Sequence, residues 1–173
     1  MTGASGPIVI VGIGCGCRRD DGVGIAAATA LDDRAIPNVV VKTGIADSMS
    51  LLEAWTGASL AVIIDAAIAT PSTPGRIRRC ELSDVAAQTH GLHSHSLDIG
   101  RTHELGQVLG RVPDELVMFA IEVPDIDHGI GLSPLVADAV PKVVDMVVAE
   151  INRALPVGGR RPSLFDSSTT SRY

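Results

Sequence analysis

Aromatic side chains are nearly missing from this sequence: two Phe, one Tyr and one Trp stand among 173 residues. Any core must therefore be filled by Val, Ile, Leu and Ala, the small and branched residues that suit a buried parallel sheet covered by helices. No run approaches the roughly 18–20 apolar residues of a membrane span, and no apolar start of the chain follows basic residues, so neither membrane insertion nor secretion is expected. Positive charge is not in excess either. A formal net charge of −6 gives no footprint for nucleic acid, which requires Lys and Arg clustered on one face. Arg76, Arg78 and Arg79 form a short basic cluster that reads as a strand edge guarded by charge. Cysteine is scarce and odd in number, at three, and two of them are separated by a single residue. Free thiols at Cys15 and Cys17 in a reducing, cytoplasmic compartment are the expectation.

Nearly half the residues are apolar and a fifth are charged, the balance of a packed globular chain. The length fits one domain, since single cores span roughly 100–200 residues. We read that domain over residues 1–157 and a disordered tail over 158–173, where Ser, Thr, Gly and Arg replace any apolar periodicity. Ile8 to Val11 reads as a buried strand, Gly22 to Leu31 as a helix and Val39 to Val41 as a strand. Asp47 or Ser48 caps a helix carrying Leu51, Leu52 and Trp55, which Gly57 stops. Leu60 to Ile64 is an uninterrupted apolar strand that ends in Asp65. Arg76 to Leu82 is a weaker, peripheral strand. Thr102 to Leu109 forms a helix and Leu116 to Val123 another strand. Ser133 and Pro134 open the last helix, whose stripe is Val136, Val140, Val143, Val147 and Ile151, with a kink at Pro141. Strands alternating with helices predict an α/β three-layer sandwich: a mostly parallel, twisted sheet of about five strands with helices on both faces.

Active sites in such sheets lie at the carboxyl ends of the strands, and acidic residues occur there. The first strand runs into Gly12-Ile13-Gly14-Cys15-Gly16-Cys17-Arg18-Arg19-Asp20-Asp21-Gly22-Val23-Gly24. One aspartate is explained by capping the helix that follows, because a carboxylate there accepts backbone N–H bonds. The second is left over. Asp65 follows five apolar residues, and burying a carboxylate is costly unless it is paired, hydrogen-bonded or bound to a cation. His90, His93 and His95 fall within one short loop, a density that favours metal binding or proton transfer over a structural imidazole. Mixed carboxylate and imidazole donors suit Zn²⁺ or another divalent transition metal, and a three-ligand site leaves a position for water or substrate.

Common alternatives fail on the residues. A dinucleotide loop would need a third glycine where Cys17 stands, and two carboxylates would repel a pyrophosphate. No phosphate loop, zinc-protease helix or nucleophile elbow is found.

Four segments resemble the hydrogenase maturation endopeptidases: Asp20-Asp21-Gly22-Val23-Gly24, Val62-Ile63-Ile64-Asp65-Ala66, Ser94-His95-Ser96-Leu97, and Gly131-Leu132-Ser133-Pro134. The match runs from Ile8 to about Leu155. The resemblance implies that Asp21, Asp65 and His95 are the metal-site positions, selecting His95 among the histidines; on the residues alone His90 and His93 stay open as substitutes. It also implies a cut that removes a C-terminal peptide from a nickel-iron hydrogenase large-subunit precursor after nickel insertion. The nickel would come from the substrate, with zinc or another divalent ion in isolation. One departure is Cys15, where the family usually has Asn, with Arg19 where a small residue is common. Cys15 reads either as a small buried substitute or as an added soft ligand. Glu122, at the end of a strand, reads as a rim residue or base, or as a structural partner for an Arg or a backbone group. A different metal-dependent hydrolase on this scaffold and a non-catalytic, metal-responsive binding or chaperone module are the other readings.

Overall fold

Strand β1 (Ile8–Gly12) is buried along its whole length, as a strand rich in Ile and Val must be when both of its faces are covered. It lies between β2 (Val39–Lys42) and β3 (Leu60–Ala67), both parallel to it. In a computed structural model describing residues 6–87, 98–124 and 126–155, five strands form one sheet in the order β2-β1-β3-β5-β4. β5 (Glu115–Glu122) is parallel to β3, whereas the edge strand β4 (Ile77–Glu81) runs antiparallel to β5. The expected three-layer α/β sandwich is therefore what the chain forms. The 158–173 tail and His90, His93 and His95 lie outside the described residues.

Alternation of side chains along the strands builds a core on each side of the sheet. On one side Ile8, Ile10, Val62, Ile64, Phe119 and Ile121 meet α1 (Val23–Asp32), α5 (Pro134–Ala137) and α6 (Ala139–Ala154). On the other, Val9, Val11, Ala61, Ile63, Met118 and Ala120 meet α2 (Ser48–Trp55) and α4 (Ile99–Leu109). The scarce aromatics are spent here. Trp55 is fully buried, donates from its indole N–H to the Arg111 carbonyl at 3.0 Å, and meets the His103 ring edge-on at 6.3 Å. Asp47 caps α2 by accepting the Ser50 N–H at 2.9 Å, and Asp98 caps α4 through Arg101 N–H at 2.9 Å.

Three sequence expectations need correction. β3 does not end at Asp65 but continues to Ala67, because β5 keeps pairing with it as far as the Ala67–Glu122 position. A short helix, α3 (Leu82–Ala87), follows β4 and has no apolar period long enough to announce it. The last helix is not kinked at Pro141. It breaks earlier, at Asp138, so that Pro141 falls in the first turn of α6, where a missing N–H costs no helical bond.

The basic cluster does sit on an edge strand, and it is paired. Arg79 bridges from β4 to Glu150 on α6 and reaches Glu81 at 2.8 Å, while Arg153 adds a 2.8 Å contact to Glu150. Burial alone would raise the Glu150 carboxyl, but the hydrogen bonds and charges of Arg79 and Arg153 outweigh it and hold it below its ordinary value. A carboxyl lowered by folding stabilises above its unfolded pKa and loses that contribution as pH falls through the folded one. Between about pH 5 and pH 3 the urea midpoint of the wild type should therefore fall further than that of Glu150→Gln.

Helix α1 reaches the sheet through glycine. A β-carbon at Gly24 would lie 2.3 Å from the Ile13 carbonyl oxygen and 2.4 Å from that of Ile64, and one at Gly12 would lie 2.5 Å from the Gly24 oxygen. These neighbours are backbone and cannot rotate away. Gly24→Ala should cost at least about 2 kcal/mol in urea unfolding. Gly16→Ala, where a β-carbon meets nothing within 4 Å, should stay within about 0.5 kcal/mol.

Candidate active site

The glycine loop between β1 and α1 begins with Ile13, which is buried and donates its N–H to the Ile64 carbonyl at 2.9 Å, so the chain leaving β1 is pinned to β3. Gly14 then takes φ of +127°, and a β-carbon there would lie 1.9 Å from the Asp21 carbonyl oxygen. Only glycine combines that backbone with that contact. The loop closes on itself: Arg18 N–H donates to the Cys15 carbonyl at 3.1 Å, and Asp21 N–H to the Arg18 carbonyl at 3.1 Å. A 3-10 turn over Arg19–Gly22 leads into α1.

The two adjacent aspartates do different work, and neither caps α1 with its side chain. Asp20 is 1% exposed and its Oδ1 accepts the Ser133 N–H at 2.6 Å. It therefore serves the start of α5, a contact across the fold that sequence proximity could not reveal. Ser133 contributes this N–H instead of a hydroxyl cap. The same two segments are stitched by Arg19 N–H to the Gly129 carbonyl at 3.0 Å and Gly129 N–H to the Cys17 carbonyl at 3.1 Å. Asp21 keeps partial exposure, and its Oδ2 accepts the Cys15 N–H at 3.0 Å.

Asp65 is 3% exposed. It lies in phase with Ile63 and Ala67 and so points to the side of the sheet covered by α2 and α4. The strand bearing Asp65 and the turn bearing Asp21 thus lie side by side at the carboxyl end of the sheet, joined through the Ile13–Ile64 backbone bond. His95 is outside the described residues, but the residues flanking its loop are not. Leu82 before it and Ile99 after it both pack in the core cluster containing Ile63 and Ala67.

Glu122 is fully buried and engaged. Oε1 accepts from Arg78 Nε at 2.7 Å and Nη2 at 2.6 Å, and Oε2 accepts the Thr73 N–H at 2.8 Å. Burial would raise this carboxyl, but Thr73 and Arg78, with Arg76, hold it below its ordinary range. These contacts are those of the structural reading, a partner for an Arg and for a backbone group. His103, which sequence inspection did not single out, is buried beside Trp55, and burial lowers its pKa.

Cys15 and Cys17 are not free thiols. They are joined by a disulfide, because the turn closed by Arg18 N–H brings their Cα atoms to 5.3 Å, within the bridging range. In this state neither sulfur is a thiolate, so the soft-ligand reading of Cys15 fails for the oxidised protein.

Residues 26–150 match the family model described as hydrogenase maturation protease. The hydrogenase 2 maturation protease of Escherichia coli K12 is 23% identical over 150 residues, covering 85% of this chain and 92% of its own. Among solved structures, the hydrogenase maturating endopeptidase HybD of E. coli superposes with a TM-score of 0.75 at 20% identity, over 86% of this chain and 93% of that one. The [NiFe] hydrogenase maturation protease HybD of Thermococcus kodakarensis gives 0.70 at 23%, over 83% and 98%. With more than half its length matched by that model, the chain belongs to the hydrogenase maturation protease family.

Proposed function

We propose that this protein is a cytoplasmic endopeptidase that removes a C-terminal peptide from a nickel-iron hydrogenase large-subunit precursor once nickel has been inserted, using Asp21, Asp65 and His95. The observation that carries the reading is the placement of the Asp21 turn beside the Asp65 strand at the carboxyl end of the sheet in a member of this family. Oxygen donors joined by an imidazole fit a divalent transition ion, and Asp65, being buried, offers its carboxylate in a setting where charge attracts strongly.

Asp21 and Asp65 would hold the nickel carried by the precursor, and His95 would complete the contact as a neutral imidazole. Cys15 N–H orients the Asp21 carboxylate for this task. Such a site recognises the loaded precursor and keeps its scissile peptide in place, so proximity supplies part of the rate. The metal's share of the chemistry would be to polarise the peptide carbonyl and activate water.

Asp65→Asn keeps the shape and discards the charge. Processing of a nickel-loaded precursor, followed by mass spectrometry, should fall at least about 100-fold in this variant, with its thermal unfolding little changed. Nickel-free precursor should stay uncut by the wild type. Rapid cutting of that precursor, or full activity of Asp65→Asn, would falsify the mechanism and favour a metal-independent hydrolase. Binding of Ni²⁺ to the isolated protein should also weaken between neutral pH and about pH 5, because only a neutral imidazole ligates. Affinity that is flat over that interval would remove His95 from the ligand set.

A further inference from the structure

We infer that Cys15 and Cys17 form a reversible thiol–disulfide site that controls the position of the Asp21 carboxylate. Accessibility is the first requirement for such chemistry. Cys17 is exposed and Cys15 half-buried, whereas the third cysteine, Cys80, is on β4 with its side chain buried in the core. A reductant can reach one pair of sulfurs and not the other thiol.

Coupling to Asp21 is the second requirement, and the backbone supplies it. Cys15 donates its N–H to Asp21 Oδ2 at 3.0 Å. Its neighbours on both sides are glycines: Gly14 adopts φ of +127°, and a β-carbon at Gly16 would touch nothing within 4 Å. Neither neighbour brings a side chain to brace residue 15, which is held by its bonds to Asp21 and Arg18 and by its sulfur. Cys17, by contrast, is anchored through its carbonyl to Gly129 N–H at 3.1 Å, and the Gly129 segment is tied back by Arg19 and by the Asp20–Ser133 contact. The disulfide connects Cys15 to the anchored Cys17. It thereby holds the N–H that orients Asp21.

The exchange is balanced with a dithiol as reductant. One of its thiolates bonds to the exposed Cys17 sulfur, the Cys15–Cys17 bond breaks, and Cys15 leaves as a thiolate. The second thiol of the reductant then displaces Cys17 and closes the reductant's own disulfide. Two electrons and two protons pass to the protein, and both cysteines end as thiols. Residue 15 then retains its carbonyl contact with Arg18 N–H but loses its covalent tether, and its hydrogen bond to Asp21 loosens.

The inference concerns the loop itself and goes beyond the proteolytic reading, so it is tested on the full chain without precursor or metal. Alkylation of the unfolded protein, read by mass, counts thiols after equilibration with oxidised or reduced dithiothreitol. Amide hydrogen exchange at residue 15 is followed by NMR in both states and in a Cys15→Ser/Cys17→Ser variant. We expect one labelled thiol after oxidation and three after reduction. Exchange at residue 15 should be at least tenfold faster in the reduced wild type than in the oxidised one, and the variant should match the reduced rate under both conditions. Three thiols after oxidation, one after reduction, or a residue-15 amide exchanging equally in the two states would each overturn the proposal. So would a variant that exchanges like the oxidised wild type.

Discussion

Everything at the carboxyl end of this sheet depends on how closely α1 approaches it. Two glycines that face each other, Gly12 at the end of β1 and Gly24 in the first turn of α1, allow backbone to touch backbone where any side chain would intrude. A helix held off by a methyl group would carry the Arg19–Gly22 turn away with it. The bond from Ile13 N–H to the Ile64 carbonyl would then lose its geometry, and with it the connection between the turn bearing Asp21 and the strand bearing Asp65. The glycines of this loop are therefore not a phosphate cradle. They are the condition for close packing of a helix start against two strand ends.

Two carboxylates in sequence are divided between structure and chemistry by that packing. Asp20 turns inward and accepts the Ser133 N–H, a charge-assisted bond in a buried setting, where such contacts are strong and their loss is costly. Asp21 turns toward the loop and remains partly accessible. The Asp20 contact explains why two segments more than a hundred residues apart form one unit. Gly129 and Ser133 are bound to the glycine loop, so the start of α5 and the rim of the candidate site move as a single piece.

The fold was largely legible in the sequence because its signals are local. Uninterrupted Val and Ile runs mark buried strands, Asp47 marks a helix start, and the spacing from Val136 to Ile151 marks a buried stripe. What escaped depends on contacts between distant parts. β3 runs through Asp65 because β5 lies beside it, and no property of residues 60–67 alone announces that neighbour. The break at Asp138 is equally silent, since Pro141 is compatible with both a kink and a first turn. At the site, Asp65 stood out by the cost of burying a carboxylate after an apolar run, and Asp21 by being the aspartate left over once its neighbour had a task. That task was misassigned, because the N–H that Asp20 serves belongs to α5 and not to the helix it precedes. The disulfide was missed for a related reason. Spacing alone argues against bridging adjacent cysteines, and only the turn closed by Arg18 brings them together.

Asp65 and Glu122 show why position on a sheet is insufficient to name a functional carboxylate. Both are buried, both lie near the carboxyl end, and alternation along β3 and β5 directs both to the same side. Around Glu122 the edge strand and the loop before it supply a guanidinium and a backbone N–H, which satisfy both oxygens and hold the group ionised. A carboxylate so compensated has little to gain from a metal ion, because binding one would mean giving up contacts already formed in a dry environment. Asp65 sits one strand further in, beside the turn that carries Asp21, and far from the arginines of β4 in the strand order. The sheet's order therefore separates the two acids: the outer one is paired with the basic edge, and the inner one lies on the strand beside the turn that carries Asp21.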